Sequence, residues 1–238
     1  MTEALLKVEN LQTQFRTEGG LVKAVDDVSF EVHPGETFAL VGESGCGKSV
    51  TALSIMGLIP SPPGEITGGK IEFDGQDLLK LPSAEMRAIR GSKIGMIFQE
   101  PMSSLNPVLT IQSQLAEPLL IHTDLSKKAA NDRAVELVDM VGIADAPTRM
   151  KQYPHELSGG QRQRIMIAMA MSCTPQLLIA DEATTALDVT IQAQILDLMK
   201  DVTEQSGTAL LIITHNLGIV ARYANRVAVM YAGKMREI

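Results

Sequence analysis

Eight residues, GESGCGKS (42–49), carry the most chemistry in this sequence. Gly42, four intervening residues, then Gly47, Lys48 and Ser49 fit the P-loop pattern for holding phosphate. Backbone N–H groups across Glu43, Ser44, Gly45 and Cys46 can turn inward onto phosphate oxygens because the glycines permit the bend. Lys48 supplies a compact cation for the β- and γ-phosphates, and the Ser49 hydroxyl can ligate Mg²⁺. The pattern has this meaning only with a strand before it and a helix after it; otherwise it is a tight turn with a chance lysine. Here TFALVG (37–42) is a short apolar run that reads as a strand, and the spacing predicts a helix from about Lys48 to Met56. The start of that helix adds partial positive charge where phosphate would lie.

A second acidic signal completes the first. LLIADE (177–182) is an apolar strand ending in Asp181, with Glu182 directly after it. A carboxylate at the carboxyl edge of a sheet can hold the Mg²⁺ shell, the Walker-B role. Glu182, one residue on, can polarise a water attacking the γ-phosphate. Gln99 ends KIGMIFQ (93–99) and His215 ends ALLIITH (209–215); each alone is ambiguous, since polar strand ends are commonly surface or capping residues. Four strands nevertheless end in Gly42, Gln99, Asp181–Glu182 and His215. Open α/β sheets bind ligands outside the carboxyl ends of their strands. A second glycine turn, LSGGQRQR (157–164), leads into another helix, although one nucleotide needs only one cradle.

The elements that must position these residues are legible in outline. LLKVENLQTQF (5–15) and VDDVSFEV (25–32) read as half-buried strands, PSPPGEITGG (60–69) as a loop, and KIEFDG (70–75) as a strand. From Thr110 to about Gly142 the periodicity is helical, with Ser126 as N-cap of the second stretch. A helix over 161–172 follows the second glycine turn. The β/α rhythm then resumes with helices over 191–202 and from Leu217 to Ala224, and a strand over RVAVMY (226–231). Alternating strands and helices imply an α/β fold with a mostly parallel sheet. Residues 100–170 read as a helical insertion within a single domain spanning 1–238.

Composition bounds the function. The 238 residues are 45% hydrophobic, enough for a sizeable core, but contain no Trp, so Ile, Leu, Val, Ala and thirteen Met must build it. A net charge of −7 argues against a protein that tracks a nucleic-acid backbone. No apolar run reaches the roughly 18–20 residues that span a bilayer, and MTEALLKVEN lacks the features of a signal peptide. Cys46 and Cys173 are too far apart in sequence to suggest a metal or disulfide pattern. The chain reads as a reduced cytoplasmic protein whose membrane role, if any, is peripheral.

With LSGGQRQR set beside the other motifs, the chain resembles the ATP-binding-cassette ATPases. GESGCGKS looks like their Walker A motif, FQEP (98–101) their Q-loop, LSGGQ their signature, LLIADE their Walker B, TALD (185–188) their D-loop and ITH (213–215) their switch histidine. QEPMSSLNPVLTIQSQ (99–114), YPHELSGGQRQR (153–164), TTALDVTIQAQIL (184–196) and ITHNLGIVA (213–221) are similar to the peptide-permease branch, which includes oligopeptide, dipeptide and nickel importers. The resemblance implies a RecA-like P-loop NTPase core, an antiparallel β-subdomain and an inserted helical subdomain. It implies ATP and Mg²⁺ as ligands, with Lys48 on phosphate, Ser49, Gln99 and Asp181 in the Mg²⁺ shell, Glu182 as catalytic carboxylate and His215 on the γ-phosphate. It also implies a head-to-tail dimer, with an identical or a paralogous cassette, in which Ser158, Gly159, Gly160 and Gln161 of one cassette close over ATP held by the other. The partners implied are transmembrane permease subunits and, indirectly, an extracytoplasmic substrate-binding protein, with the cassette on the cytoplasmic face of the membrane and no nucleic acid.

Phe15 sits where the family places an aromatic that stacks on adenine; a core aromatic near a strand end is the equal alternative. Cys46, beside a lysine and a helix start, lies where cysteines become reactive, or is a small residue at a position often held by Ser. Three departures stand out. Ala183 replaces the usual Pro after the catalytic Glu, predicting a looser turn. Asn216 replaces the usual acidic residue after the switch histidine. Relatives of this branch continue past the point where this chain stops, so the resemblance implies a C-terminal extension that is missing here. A soluble cassette ATPase acting on nucleic acid or ribosomes is the competing class. A P-loop kinase would leave LSGGQRQR unexplained, and a silent regulatory cassette would not keep Lys48, Asp181, Glu182 and His215.

Overall fold

The structure is a computed structural model that describes residues 3–99, 104–184 and 188–238. Along the chain, strands β1 (Leu6–Thr17), β2 (Gly20–Val32) and β3 (Thr37–Val41) precede helix α1 (Lys48–Ile55). There follow β4 (Gly64–Phe73), the two-residue β5 (Gln76–Asp77), α2 (Ser83–Ile89) and β6 (Ile94–Ile97). A helical stretch comprises α3 (Ile111–His122), α4 (Lys127–Met140), the single turn α5 (Ala146–Arg149) and α6 (Gly159–Met171). The chain ends with β7 (Leu177–Asp181), α7 (Val189–Ser206), β8 (Ala209–Thr214), α8 (Leu217–Tyr223), β9 (Arg226–Tyr231) and β10 (Lys234–Glu237). These elements fall into two compact units, residues 1–87 with 209–238, and residues 88–208.

The first unit holds two sheets. One is antiparallel in the order β2-β1-β4-β5. Its buried face is spelled Leu6, Val8, Leu11, Thr13 on β1 and Val25, Val28, Phe30, Val32 on β2. A strand buries every second residue, so the three-residue steps Val8–Leu11 and Val25–Val28 each demand one extra residue. The register shifts between Val8 and Leu11. Asn10 and Asp27 absorb the extra residues at positive φ (49° and 64°) and are tied by an Asn10 Nδ2–Asp27 Oδ1 hydrogen bond of 2.7 Å.

The same bulge corrects the reading of 60–69 as loop. Strand β4 begins at Gly64 and pairs with β1 through Phe15–Gly64, Gln14–Glu65 and Thr13–Ile66. Gly69 lies where β4 crosses the bulge, at φ +96°, and a Cβ there would be 2.6 Å from Leu11 Cα. A glycine that looks like a loop residue is here a strand residue that lets two backbones approach.

The other sheet of this unit has β8 and β9 flanking β3 in parallel, with β10 antiparallel on β9. Phe38, Ala39, Leu40 and Val41 of β3 and all of β8 are buried, and Val220 of α8 packs on Ala39 and Val41. The β9–β10 hairpin, absent from the sequence reading, turns on Ala232 and Gly233, both at positive φ, the geometry of a type I′ turn.

In the second unit β6 and β7 pair in parallel. All five residues of β7 are buried, as expected for a strand covered on both faces. Ser126 caps α4 as the sequence predicts, its Oγ accepting from Ala129 N at 3.3 Å. Thr110 caps α3 in the same way. Helix α6 buries Ile165, Met166, Ile167, Ala168 and Met171.

Candidate nucleotide site

The phosphate loop runs from the end of β3 to the start of α1 and is walled by distant backbone of its own unit. A Cβ on Gly47 would lie 2.1 Å from the Ala24 carbonyl oxygen of β2 and 2.7 Å from Met230 Cε of β9, and its φ is +104°. A Cβ on Gly42 would meet the Met230 carbonyl oxygen at 2.1 Å. Gly233 N donates to the Cys46 carbonyl at 3.0 Å, tying the β9–β10 turn to the loop. Sequence reasoning misses Ala24, Met230 and Gly233, because no local pattern announces a wall built from residues far apart in the chain.

Lys48 is buried, and its Nζ donates to the carbonyls of Gly42 (2.9 Å) and Glu43 (2.8 Å). The ammonium is thus drawn back along the loop that precedes it. Glu43, Ser44 and Gly45 form the exposed tip, and Ser49 is half-buried at the start of α1. Cys46 Sγ lies 3.9 Å from Lys48 Nζ and is 6% exposed. Val41 pairs with Thr214, so Gly42 and the exposed His215 leave adjacent strands at one edge. Asn216, the departure after the histidine, caps α8 by accepting from Gly218 N at 2.9 Å.

Phe15 is half-buried, opposite Val22 on β2 and Gly64 on β4. A Cβ on Gly64 would be 2.7 Å from Phe15 Cε1 and 2.6 Å from Ile59 Cγ2, so the ring rests on the space that this glycine leaves.

The acidic candidates lie in the second unit. Ile97 pairs with Ala180, so Gln99 and Asp181–Glu182 leave neighbouring strands together. Gln99 Nε2 donates to Glu182 Oε2 at 3.0 Å. Asp181 and Glu182 are 5% and 9% exposed. Glu182 has φ +46°, a left-handed turn that redirects the chain immediately after β7. Two residues on, Thr184 Oγ1 accepts from Gln192 Nε2 of α7 at 2.9 Å, bracing the turn that has Ala183 where the family has Pro. Glu100 and Pro101 of FQEP, and Thr185, Ala186 and Leu187 of TALD, lie outside the described residues.

Ser158, Gly159, Gly160 and Gln161 form the first turn of α6. Ser158 is the N-cap: its Oγ accepts from Gln161 N at 3.3 Å, while Gln161 Oε1 accepts from Ser158 N at 3.0 Å. Burial pushes the Cys173 thiol above its ordinary pKa, only partly offset by a hydrogen bond from Ser172. It is a poor candidate for a reactive centre.

The donors Ser49, Gln99 and Asp181 offer a hydroxyl, an amide oxygen and one carboxylate, all hard oxygens. Among the described residues no group of three or more His, Cys, Asp or Glu could cage a metal alone. Taken singly, Ser49 in the first unit and Gln99 and Asp181 in the second are each the kind of oxygen donor that Mg²⁺ takes.

Comparison with known proteins decides the family. The profile of the ABC transporter family matches residues 25–185. The chain belongs to the ABC transporter family. It is 58% identical over 236 residues to the dipeptide transport ATP-binding protein DppD of Bacillus subtilis, covering 99% of this chain and 70% of that protein. It is 56% identical over 233 residues to the oligopeptide transport ATP-binding protein OppD of the same organism, covering 98% of this chain and 65% of that protein. The chain thus spans about two thirds of the length of such relatives. Among solved structures, a dimeric ATP-binding cassette in a post-hydrolysis state with ADP and Pi matches with a TM-score of 0.86 and 29% identity over 98% of this chain and 97% of that one. The cassette therefore has the α/β P-loop NTPase fold expected from its motifs, with parallel and antiparallel sheets and added helices, and it is an ATPase. Among the described residues no helix is long and apolar enough to cross a membrane.

Proposed function

We propose that this cassette binds and hydrolyses ATP to drive a membrane importer for dipeptides, oligopeptides or a related small solute such as nickel. The observation that carries the reading is the 58% identity, over nearly the whole chain, to a dipeptide transport ATP-binding protein. Residues 1–238 act as one ATP-binding domain, with roughly 100–170 as its helical insertion.

In this reading the loop Gly42–Ser49 takes the phosphates, with Lys48 on the β- and γ-oxygens, and Phe15 stacks on adenine. Stacking of this kind adds about 1 kcal/mol. Ser49, Gln99 and Asp181 hold Mg²⁺, which supplies charge neutralisation on the phosphates. Glu182 accepts a proton as water forms its bond to the γ-phosphorus and the bond to the β-phosphate oxygen breaks. His215 donates a hydrogen bond to the γ-phosphate.

Two cassettes meet head to tail, and the start of α6 of each covers the ATP held by the other. Its free amides and helix-end charge oppose the γ-phosphate. ATP closes the pair and hydrolysis removes the charge that held it closed. The segment after Gln99 passes this motion to permease subunits, with the cassette on the cytoplasmic face and an extracytoplasmic binding protein delivering solute.

Purification of the tagged cassette from detergent-solubilised membranes tests the assignment. Recovery of integral membrane subunits in fixed ratio is expected. Recovery of nucleic acid or ribosomes in their place would replace the importer reading with that of a soluble cassette ATPase.

A further inference from the structure

We infer that Thr13 and Ser54 are positioning residues that hold the base-binding strand in place against the phosphate-loop helix, so that the cassette prefers a nucleoside triphosphate to bare triphosphate. The starting point is a residue of unexpected type for its place. The buried face of β1 reads Leu6, Val8, Leu11 and then Thr13, which is fully buried. A buried hydroxyl is costly unless it is hydrogen-bonded, whereas Val fills nearly the same space with no polar group to satisfy.

The partner is Ser54 of α1, also buried, with Thr13 Oγ1 and Ser54 Oγ 2.9 Å apart. Ser54 Oγ donates its one proton to the Val50 carbonyl at 2.7 Å. Thr13 is therefore the donor to Ser54, and a two-step chain runs from β1 to the backbone of the first turn of α1. That turn opens with Lys48 and Ser49.

Both neighbours of β1 skip a residue at Thr13. On β2, Thr13 pairs with Val25 and Gln14 with Lys23, passing over Ala24. On β4, Gln12 pairs with Gly68 and Thr13 with Ile66, passing over Thr67. Such irregularities bend and twist a sheet, so the ladder bonds alone do not set where β1 leads next. Thr13 is also the last buried residue of β1; beyond it Phe15 is half-buried, and Leu21 and Val22 on the paired strand are exposed. Phe15, two residues on, lies on the same face of β1 as Thr13. The hydroxyl chain thus ties the strand that carries Phe15 to the helix that carries Lys48. The skipped Ala24 adds a second tie, because its carbonyl oxygen is the wall against Gly47.

These roles rest on the reading that Phe15 stacks on adenine, and the test separates the two claims. Equilibrium binding of MgATP and of magnesium tripolyphosphate is measured for wild type, Thr13→Val, Thr13→Ser, Ser54→Ala, Phe15→Leu and the Thr13→Val, Phe15→Leu pair. Thr13→Val and Ser54→Ala should each weaken MgATP about fivefold, the contribution of one stacking contact, and tripolyphosphate by less than about twofold. Thr13→Ser keeps the donor and should bind MgATP as wild type does. In the Phe15→Leu background Thr13→Val should cost nothing further, since the strand then has no ring to place. Equal loss for both ligands overturns the inference, because the pair would then support the phosphate loop itself. Wild-type MgATP affinity in both Thr13→Val and Ser54→Ala overturns it as well. If Phe15→Leu binds MgATP as wild type does, the stacking reading falls: a selective loss in Thr13→Val then shows β1 placing the base through another residue, and no selective loss removes both claims.

Discussion

Truncating Gln99 should damage hydrolysis mainly through Glu182. Gln99 Nε2 donates to the Glu182 carboxylate at 3.0 Å, from the end of one strand to the end of its paired neighbour. A hydrogen bond to a charged group contributes about 1.5–3 kcal/mol. If that bond aims the carboxylate at the attacking water, Gln99→Ala lowers kcat roughly 10- to 150-fold, at 1.36 kcal/mol per decade. Glu182→Gln alone should slow hydrolysis by about 10²–10⁴ while ATP still binds, the range for a positioned general base. In the Glu182→Gln background the partner is neutral and the bond is worth about 0.5–1.5 kcal/mol. The Gln99→Ala effect should then shrink by about tenfold.

The assay is single-turnover hydrolysis of labelled ATP with cassette in excess, for wild type, both single variants and the double variant. MgATP affinity is measured separately by equilibrium binding. Equal factors for Gln99→Ala in both backgrounds would refute the coupling. So would a loss that appears wholly as an increased Mg²⁺ requirement for binding, which would leave Gln99 acting through the metal alone.

Three further outcomes follow from particular contacts. Gly47→Ala must displace the Ala24 carbonyl and hold Ala at φ +104°, so nucleotide binding should fall below detection by fluorescent-analogue titration; wild-type affinity would mean the loop is not the cradle. Gln163 is fully buried and neither side-chain amide atom has a hydrogen-bond partner among the described residues, so Gln163→Met should stabilise the cassette by about 1–3 kcal/mol, read as a higher Tm, whereas a lower Tm would reveal a partner. The raised Cys173 thiol is protonated at neutral pH, so its alkylation should lag a free thiol's and accelerate only as pH rises above the ordinary range near 9.0. Peptide mapping should find any label that MgATP blocks on Cys46, and MgATP-insensitive labelling confined to Cys173 would show Cys46 to be an inert packing residue.

The parts of this molecule that sequence exposes are those whose signals are local. The run TFALV, the glycine spacing and Lys48 specify strand, loop and helix within some twenty residues, and each forms where expected. Strand ends carrying Gly42 and His215, and those carrying Gln99 and Asp181, do leave paired strands. What escapes is set by register and by distant backbone. Gly68 and Gly69 read as loop because the bulge they cross lies on another strand. The β9–β10 hairpin escapes because Ala232 takes a left-handed conformation that its sequence does not advertise. The wall behind Gly42 and Gly47 comes from Ala24 and Met230, and no pattern near the loop names them. The serine and glutamine of LSGGQ are spaced as a capping box, and the structure contains both of its bonds.

In the proposed cycle one cassette carries both halves of an ATP pocket and joins them only with a second cassette. Sedimentation velocity of Glu182→Gln with MgATP, beside the same cassette carrying Ser158→Arg, tests it most directly. A dimer is expected with ATP, a monomer with ADP, and no dimer once Ser158 is replaced, although each cassette still binds one ATP. A cassette that stays monomeric with ATP bound, or a Ser158→Arg variant that dimerises as well as its parent, would contradict it.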